Sequence, residues 1–162
     1  MKNILTYLTL ILLVVLQSTV LSRIEILHII PNVILVFVVC YSMYAEPSKT
    51  VIFAVVSGLV VDILQAHHIG LTALIMMFIG LALSVISSDY IRSNIITIII
   101  ATVVSTFVFE GLYGFLLYVM FSKMTAEYMF NVIFIETLYN IFASVLLMWW
   151  AKFLAEDEIR SF

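Results

Sequence analysis

Six apolar runs follow one another along the chain, at roughly 4–22, 29–45, 50–65, 69–87, 94–121 and 129–153. Short polar breaks part them: Ser22–His28, Glu46–Lys49, Gln65–His68, Ser88–Ser93 and Ser122–Glu127. A bilayer core of about 30 Å takes about 20 helical residues to cross, so the pattern predicts six transmembrane helices. The third run is short and ends near Asp62, while the fifth is long enough to tilt, kink or extend past the interface. The β-branched stretch Ile95–Val104 reads as a strand in water. In lipid the backbone must satisfy its own hydrogen bonds, which makes it a helix. Pro47 and Ser48 mark the second break as a turn. No break is long enough to be a linker and no internal repeat is evident, so residues 1–162 form a single transmembrane domain.

Composition agrees with that pattern. The chain of 162 residues is 65% hydrophobic and 10% charged, with a mean hydropathy of +1.25. Soluble domains are about half apolar and about a quarter charged. The net charge of −3 comes with no basic patch and no interleaved aromatics, which excludes a nucleic-acid partner. Cys40 is the single cysteine, so no disulfide forms within the chain. The first run is long for a signal peptide and is followed by Leu21-Ser22-Arg23 instead of a small-residue cleavage site. It reads as a retained span.

Orientation follows from Lys and Arg. With six spans and an inner N-terminus, Lys2, Lys49, Arg92, Lys152 and Arg160 lie inside and Arg23 and Lys123 outside. Both termini are therefore expected in the cytoplasm. Trp149 and Trp150, beside Lys152, fit the inner interface of the sixth span. The acidic end Glu156-Asp157-Glu158 reads as a solvated tail.

Three carboxylates, Asp62, Glu110 and Glu136, fall inside apolar runs with no Lys or Arg at comparable depth. Protonation, or hydrogen bonds from Ser, Thr, Asn or backbone groups, must hold them. Each sits on a stripe of small and polar residues. Gly58 and Asp62 share a helix face, with Ser57 and Gln65 close by. Thr102, Thr106, Glu110 and Gly114 repeat every four residues, as do Glu136, Asn140 and Ser144. Such stripes let membrane helices approach and hydrogen-bond, so they are expected to converge on the bundle interior. Proton or ion transport is the competing use of the same residues.

The remaining polar residues are less telling. His67 and His68 are adjacent, whereas metal-binding pairs on a helix are more usefully four apart, so they read as a polar turn. His28 has the same reading. Pro31 and Asn32 mark a helix start or a kink. Gln17 and Ser18 read as helix contacts or a partner surface. No nucleophile–base pair, phosphate loop or zinc spacing is present, and no enzyme, cofactor or metal site is expected.

Several of these features, in this order, resemble the MreD family of bacterial rod shape-determining membrane proteins. The resemblance is carried by Leu16-Gln17-Ser18-Thr19, Pro31-Asn32 and Gly58-Leu59-Val60-Val61-Asp62-Ile63-Leu64. It continues in Gly70-Leu71-Thr72-Ala73-Leu74 and Glu136-Thr137-Leu138-Tyr139-Asn140, and so covers almost the whole chain. Members often carry glycines in the turn before the third span, where this chain has Glu46-Pro47-Ser48-Lys49.

The resemblance implies a non-enzymatic scaffold of the cell-wall elongation machinery in the bacterial cytoplasmic membrane. It implies binding to an MreC-like bitopic protein and, through it, work with MreB, RodA and its penicillin-binding partner. It also implies an all-α architecture similar to the S components of energy-coupling-factor transporters, which supplies the alternative function of a vitamin-binding subunit. A vitamin pocket gathers aromatic and hydrogen-bonding residues at the outer ends of several spans; here the polar residues are spread in depth. The residues expected to bind a partner or to form an interior polar network are Gln17, Pro31, Asn32, Gly58, Asp62, Gly70, Glu136 and Asn140.

Overall fold

The computed structural model describes residues 2–23, 29–65, 70–87, 94–121 and 126–159. His28, His67, His68, Arg92, Lys123 and Arg160 lie outside the described residues, as do the side chains of Gln65 and Glu156–Glu158. Among the described residues the chain forms six α-helices: α1 (Lys2–Thr19), α2 (Val33–Ser42), α3 (Pro47–Gln65), α4 (Leu71–Ile86), α5 (Ile95–Phe121) and α6 (Ala126–Ile159). A 3-10 turn, Leu21–Arg23, follows α1, and no strand element occurs among the described residues. Ile95–Val104 is helical throughout.

Two boundaries differ from the apolar pattern for local reasons. Pro47 is the first residue of α3, where its missing N–H and fixed φ suit a helix start. The turn therefore lies one step earlier, at 43–46, and α3 reaches 19 residues. The run 29–45 is helical only over the ten residues of α2, a rise of about 15 Å. Asn32 caps this helix, its Oδ1 accepting from the Leu35 N–H at 3.1 Å, and Pro31 precedes the cap.

The short helix is the centre of the bundle. α2 is apolar on every face, the property of a helix with no solvent side, and all ten of its residues are buried. It packs against each of the other five helices, which surround it with α3, α4, α5, α6 and α1 as successive neighbours. On its Tyr41 end, Phe37 and Tyr41 meet Phe53 of α3 with ring centroids 5.6 and 4.9 Å apart.

The helices alternate in direction. Contacts between Tyr7 and Phe53, Thr9 and Trp150, and Thr50 and Gly80 place the starts of α1 and α3 beside the ends of α4 and α6. α3 and α4 approach most closely through glycine. A Cβ added to Gly58 would overlap Ala73 Cα, and one added to Gly80 would lie 3.1 Å from Thr50 Cγ2.

The outside is apolar and the polar groups point in. Phe134, Leu138, Phe142, Leu146 and Trp149 form one exposed stripe along α6, and Ile96, Ile100, Val104 and Phe107 another along α5. Asp62, Thr102, Thr106, Glu136, Asn140 and Ser144 are buried. Such faces are unstable in water and stable in lipid. Among the described residues three helices are long and apolar enough to cross a bilayer, over Pro47–Leu64, Ile95–Val119 and Val132–Ala155. Shorter apolar helices run over Ile4–Thr19, Val33–Ser42 and Leu71–Ile86. This is an all-α membrane protein.

Candidate functional site

Two polar centres hold the helices together. The first joins α3 to α4. Asp62 sits in the last turn of α3, 4% exposed, and its carboxylate faces the start of the next helix. It accepts hydrogen bonds from the N–H groups of Gly70 at 2.7 Å, Thr72 at 3.2 Å and Ala73 at 3.4 Å. The first N–H groups of a helix have no partner within the helix, and they concentrate the positive end of its dipole. Gly70, the residue capping α4, supplies no side chain for them and has φ of 98°, in the left-handed region that favours glycine. The cap is thus provided in trans, from a carboxylate on the neighbouring helix.

Gly58 makes this possible. It stands one turn before Asp62 on the same face, where Ala73 and Thr72 backbone atoms fill the space of a side chain. Only with the two backbones this close does Asp62 reach the α4 terminus. No cation is needed, because backbone dipoles hold the charge.

The second centre joins α2, α5 and α6. Asn140 on α6 is fully buried. Its Oδ1 accepts from the Asn32 N–H at 3.0 Å, and its Nδ2 donates to Thr106 Oγ1 at 3.1 Å and Glu136 Oε1 at 3.3 Å. The Thr106 hydroxyl in turn donates to the Thr102 carbonyl at 2.9 Å. The stripes of α5 and α6 therefore meet face to face, and Asn140 ties both to the beginning of α2. That tie accounts for the depth at which α2 starts.

The structure thus brings together Gly58, Asp62 and Gly70 in one centre, and Asn32, Glu136 and Asn140 in the other. It leaves two residues of the expected set apart from both. Pro31 lines an apolar groove of about 540 Å³ between α1 and α6, together with Leu16, Tyr139 and Phe142. Gln17 lines a smaller cavity of about 180 Å³ between α1 and α3.

Some residues that bond between helices lie outside the expected set. Thr106 was visible as part of a stripe. Thr72 and Ala73 act through backbone N–H groups, which carry no residue signature. Trp150 donates from Nε1 to Thr9 Oγ1 at 3.0 Å, so it fastens α1 to α6 as well as standing near a helix end. Among the described residues no group of three His, Cys, Asp or Glu is placed to hold a metal ion.

Asp62 and Asn140 are thus engaged in joining helices. Comparison with known protein families matches the chain to rod shape-determining protein MreD over residues 1–156. The chain belongs to the MreD family. Membership gives it a part in rod-shape determination, in a family of shape-determining structural proteins. No curated protein and no solved structure gives a match, so the likeness to transporter S components stands on the resemblance alone.

Proposed function

We propose that this MreD-family chain is a non-enzymatic scaffold of the cell-wall elongation machinery, spanning the bacterial cytoplasmic membrane as one domain with six crossings. It binds the membrane helix of an MreC-like bitopic protein, and through that protein works with MreB, RodA and its penicillin-binding partner. Gly58, Asp62, Gly70, Asn32, Glu136 and Asn140 serve as the interior network that sets the shape of the partner-binding surface.

The observation that carries this reading is the use of the buried polar groups. Asp62 accepts from three backbone N–H groups, and Asn140 bonds to Asn32, Thr106 and Glu136. Groups engaged in this way support rigidity more than transport.

Orientation follows the charge rule. Lys2, Lys49 and Lys152 fall at one end of the bundle, the end at which α1 and α3 begin and α6 finishes. That end is cytoplasmic, and both termini with it. The Asp62–Gly70 corner then faces the extracytoplasmic side, where an MreC-like partner carries its soluble part.

Co-purification tests the scaffold reading. The chain, co-expressed with the MreC-like protein and extracted in mild detergent, retains it through affinity and size-exclusion steps. A monodisperse, folded chain that does not retain it overturns the reading. A reporter active only outside the membrane, fused after Phe162, stays silent.

A further inference from the structure

At the end of the bundle where α1 and α3 begin, a small polar cleft lies between the two helices. It holds about 150 Å³ and is lined by Thr6 and Tyr7 of α1, Tyr41 of α2, and Lys49, Ile52 and Phe53 of α3. The rings of Tyr7 and Tyr41 both meet Phe53, with centroids 5.9 and 4.9 Å apart, and give the cleft an aromatic wall. Two of its polar residues are open to the surroundings. Tyr7 is 37% exposed, and the Lys49 side chain is 40% exposed.

The depth of the cleft says what lies against it. Lys49 is two residues into the apolar stretch Pro47–Leu64, about 3 Å along the helix axis. It therefore stands where the hydrocarbon layer gives way to headgroups, the level at which lysine and tyrosine anchor helices. Toward the middle of the bilayer, Ile52 lines the cleft and Ile11 follows Tyr7 by one turn of α1, and both are exposed. An occupant meets a cation and a hydroxyl at one end and apolar side chains at the other. A phospholipid has that order, phosphate first and acyl chains after. The cleft is smaller than the roughly 300–1,000 Å³ of sites for whole small molecules, so it takes the phosphate and leaves the chains in the bilayer.

We infer that the cleft between the starts of α1 and α3 is a binding site for a phospholipid headgroup, whose phosphate accepts hydrogen bonds from Lys49 Nζ and the Tyr7 hydroxyl while its acyl chains lie along Ile11 and Ile52. Lys49 also stands 3.6 Å from Glu46. An exposed pair of this kind is screened and worth little, and an ammonium carries three donors, so Lys49 holds Glu46 and a phosphate oxygen together. Basic pockets between helices on the cytoplasmic side suit anionic lipid heads, and the charge rule puts this end on that side. The bound lipid joins α1 to α3. The inference goes beyond the scaffold reading and stands without a protein partner.

Native mass spectrometry of the full chain, stripped of lipid in detergent and titrated with phosphatidylglycerol, reads the site. The parent chain is expected to retain the lipid. Lys49→Gln lowers retention about five-fold, the effect of one lysine at a lipid surface, and Lys49→Arg, which keeps the cation, retains lipid as the parent does. Tyr7→Phe, which removes a hydroxyl and keeps the ring against Phe53, lowers retention about three-fold, the effect of one hydrogen bond. Lys152→Gln, at the same end but outside the lining of the cleft, leaves retention unchanged.

Parent-like retention by Lys49→Gln or by Tyr7→Phe, with unchanged elution of the chain in size exclusion, overturns the site. Equal loss from Lys49→Gln and Lys152→Gln also overturns it, as general attraction to a positive end. Competition by inorganic phosphate at the concentration of the lipid overturns the lipid as the source of the phosphate. Loss of the lipid when the MreC-like protein is bound gives the cleft to that partner and overturns the lipid as its occupant. Lipid retention by a chain that fails to hold the MreC-like protein supports the site and overturns the scaffold reading alone.

Discussion

Asp62 at the end of α3 holds the N–H of Gly70, eight residues later, at 2.7 Å, and through it fixes where the next helix begins. The carboxylate that stood unexplained in an apolar run is an external cap. Charged acceptors on helix N-termini are among the stronger hydrogen bonds, and here there is little water to replace it.

Asp62→Asn and Asp62→Leu are expected to separate charge from hydrogen bonding. Asn keeps one acceptor oxygen and loses about 1 kcal/mol, the scale of a helix-dipole contact. Leu leaves the N–H groups of Gly70, Thr72 and Ala73 without an acceptor and loses about 3 kcal/mol. Thermal unfolding followed by fluorescence-detected size exclusion ranks parent, Asn and Leu in that order. A Leu variant as stable as the parent removes the capping role.

Gly58→Ala is expected to be far worse than Gly80→Ala. The added methyl of the first meets backbone, at Ala73 Cα, which cannot turn aside. The second meets the side chains of Thr50 at 3.1 Å and Ala54 at 3.3 Å, which give by a few tenths of an ångström. Overpacking of the first kind costs about 1–3 kcal/mol. The same thermal assay, applied to the pair, shows the gap; equal midpoints contradict the close approach of α3 and α4.

Gly70→Ala tests conformation alone. Nothing lies within 4 Å of a Cβ there, so the whole effect arises from φ of 98°. The left-handed penalty is about 1–2 kcal/mol for an L-residue, and asparagine tolerates the region better. The expected order of stability is Gly, then Asn, then Ala.

Asn140→Asp and Asn140→Leu are both expected to destabilise, for different reasons. Asp still accepts from the Asn32 N–H but loses the donor to Thr106 and faces Glu136 with a second carboxyl group. Leu loses all three bonds. A double-mutant cycle of Asn140→Leu with Thr106→Val is expected to give a coupling of about 0.6 kcal/mol, the average for interhelical hydrogen bonds in membranes. Zero coupling dissolves the link between α5 and α6 at this point.

Much of the architecture was readable from the alternation of apolar and polar segments. Long runs without charges announce helices in lipid because unpaired backbone is intolerable there, and the polar stripes announce which faces turn inward. The extent of α2 was not readable this way. Hydropathy reports the medium around a segment, and residues 29–32 are as apolar in setting as the helix they precede. What starts the helix there is the Asn32 side chain, which caps the Leu35 N–H, together with a bond from the Asn32 N–H to Asn140, 108 positions away.

Residue order alone places this protein in a membrane, divides it into six apolar runs and leaves Asp62, Glu136 and Asn140 in need of partners. These follow from residue chemistry and local periodicity. The packing of the helices selects the partners: the backbone of the α4 start for Asp62, and Asn32, Thr106 and Glu136 for Asn140. Backbone donors look alike at every position of a sequence. Which of them a buried carboxylate meets depends on how closely two helices pack, and here that distance is set by the missing side chain of Gly58.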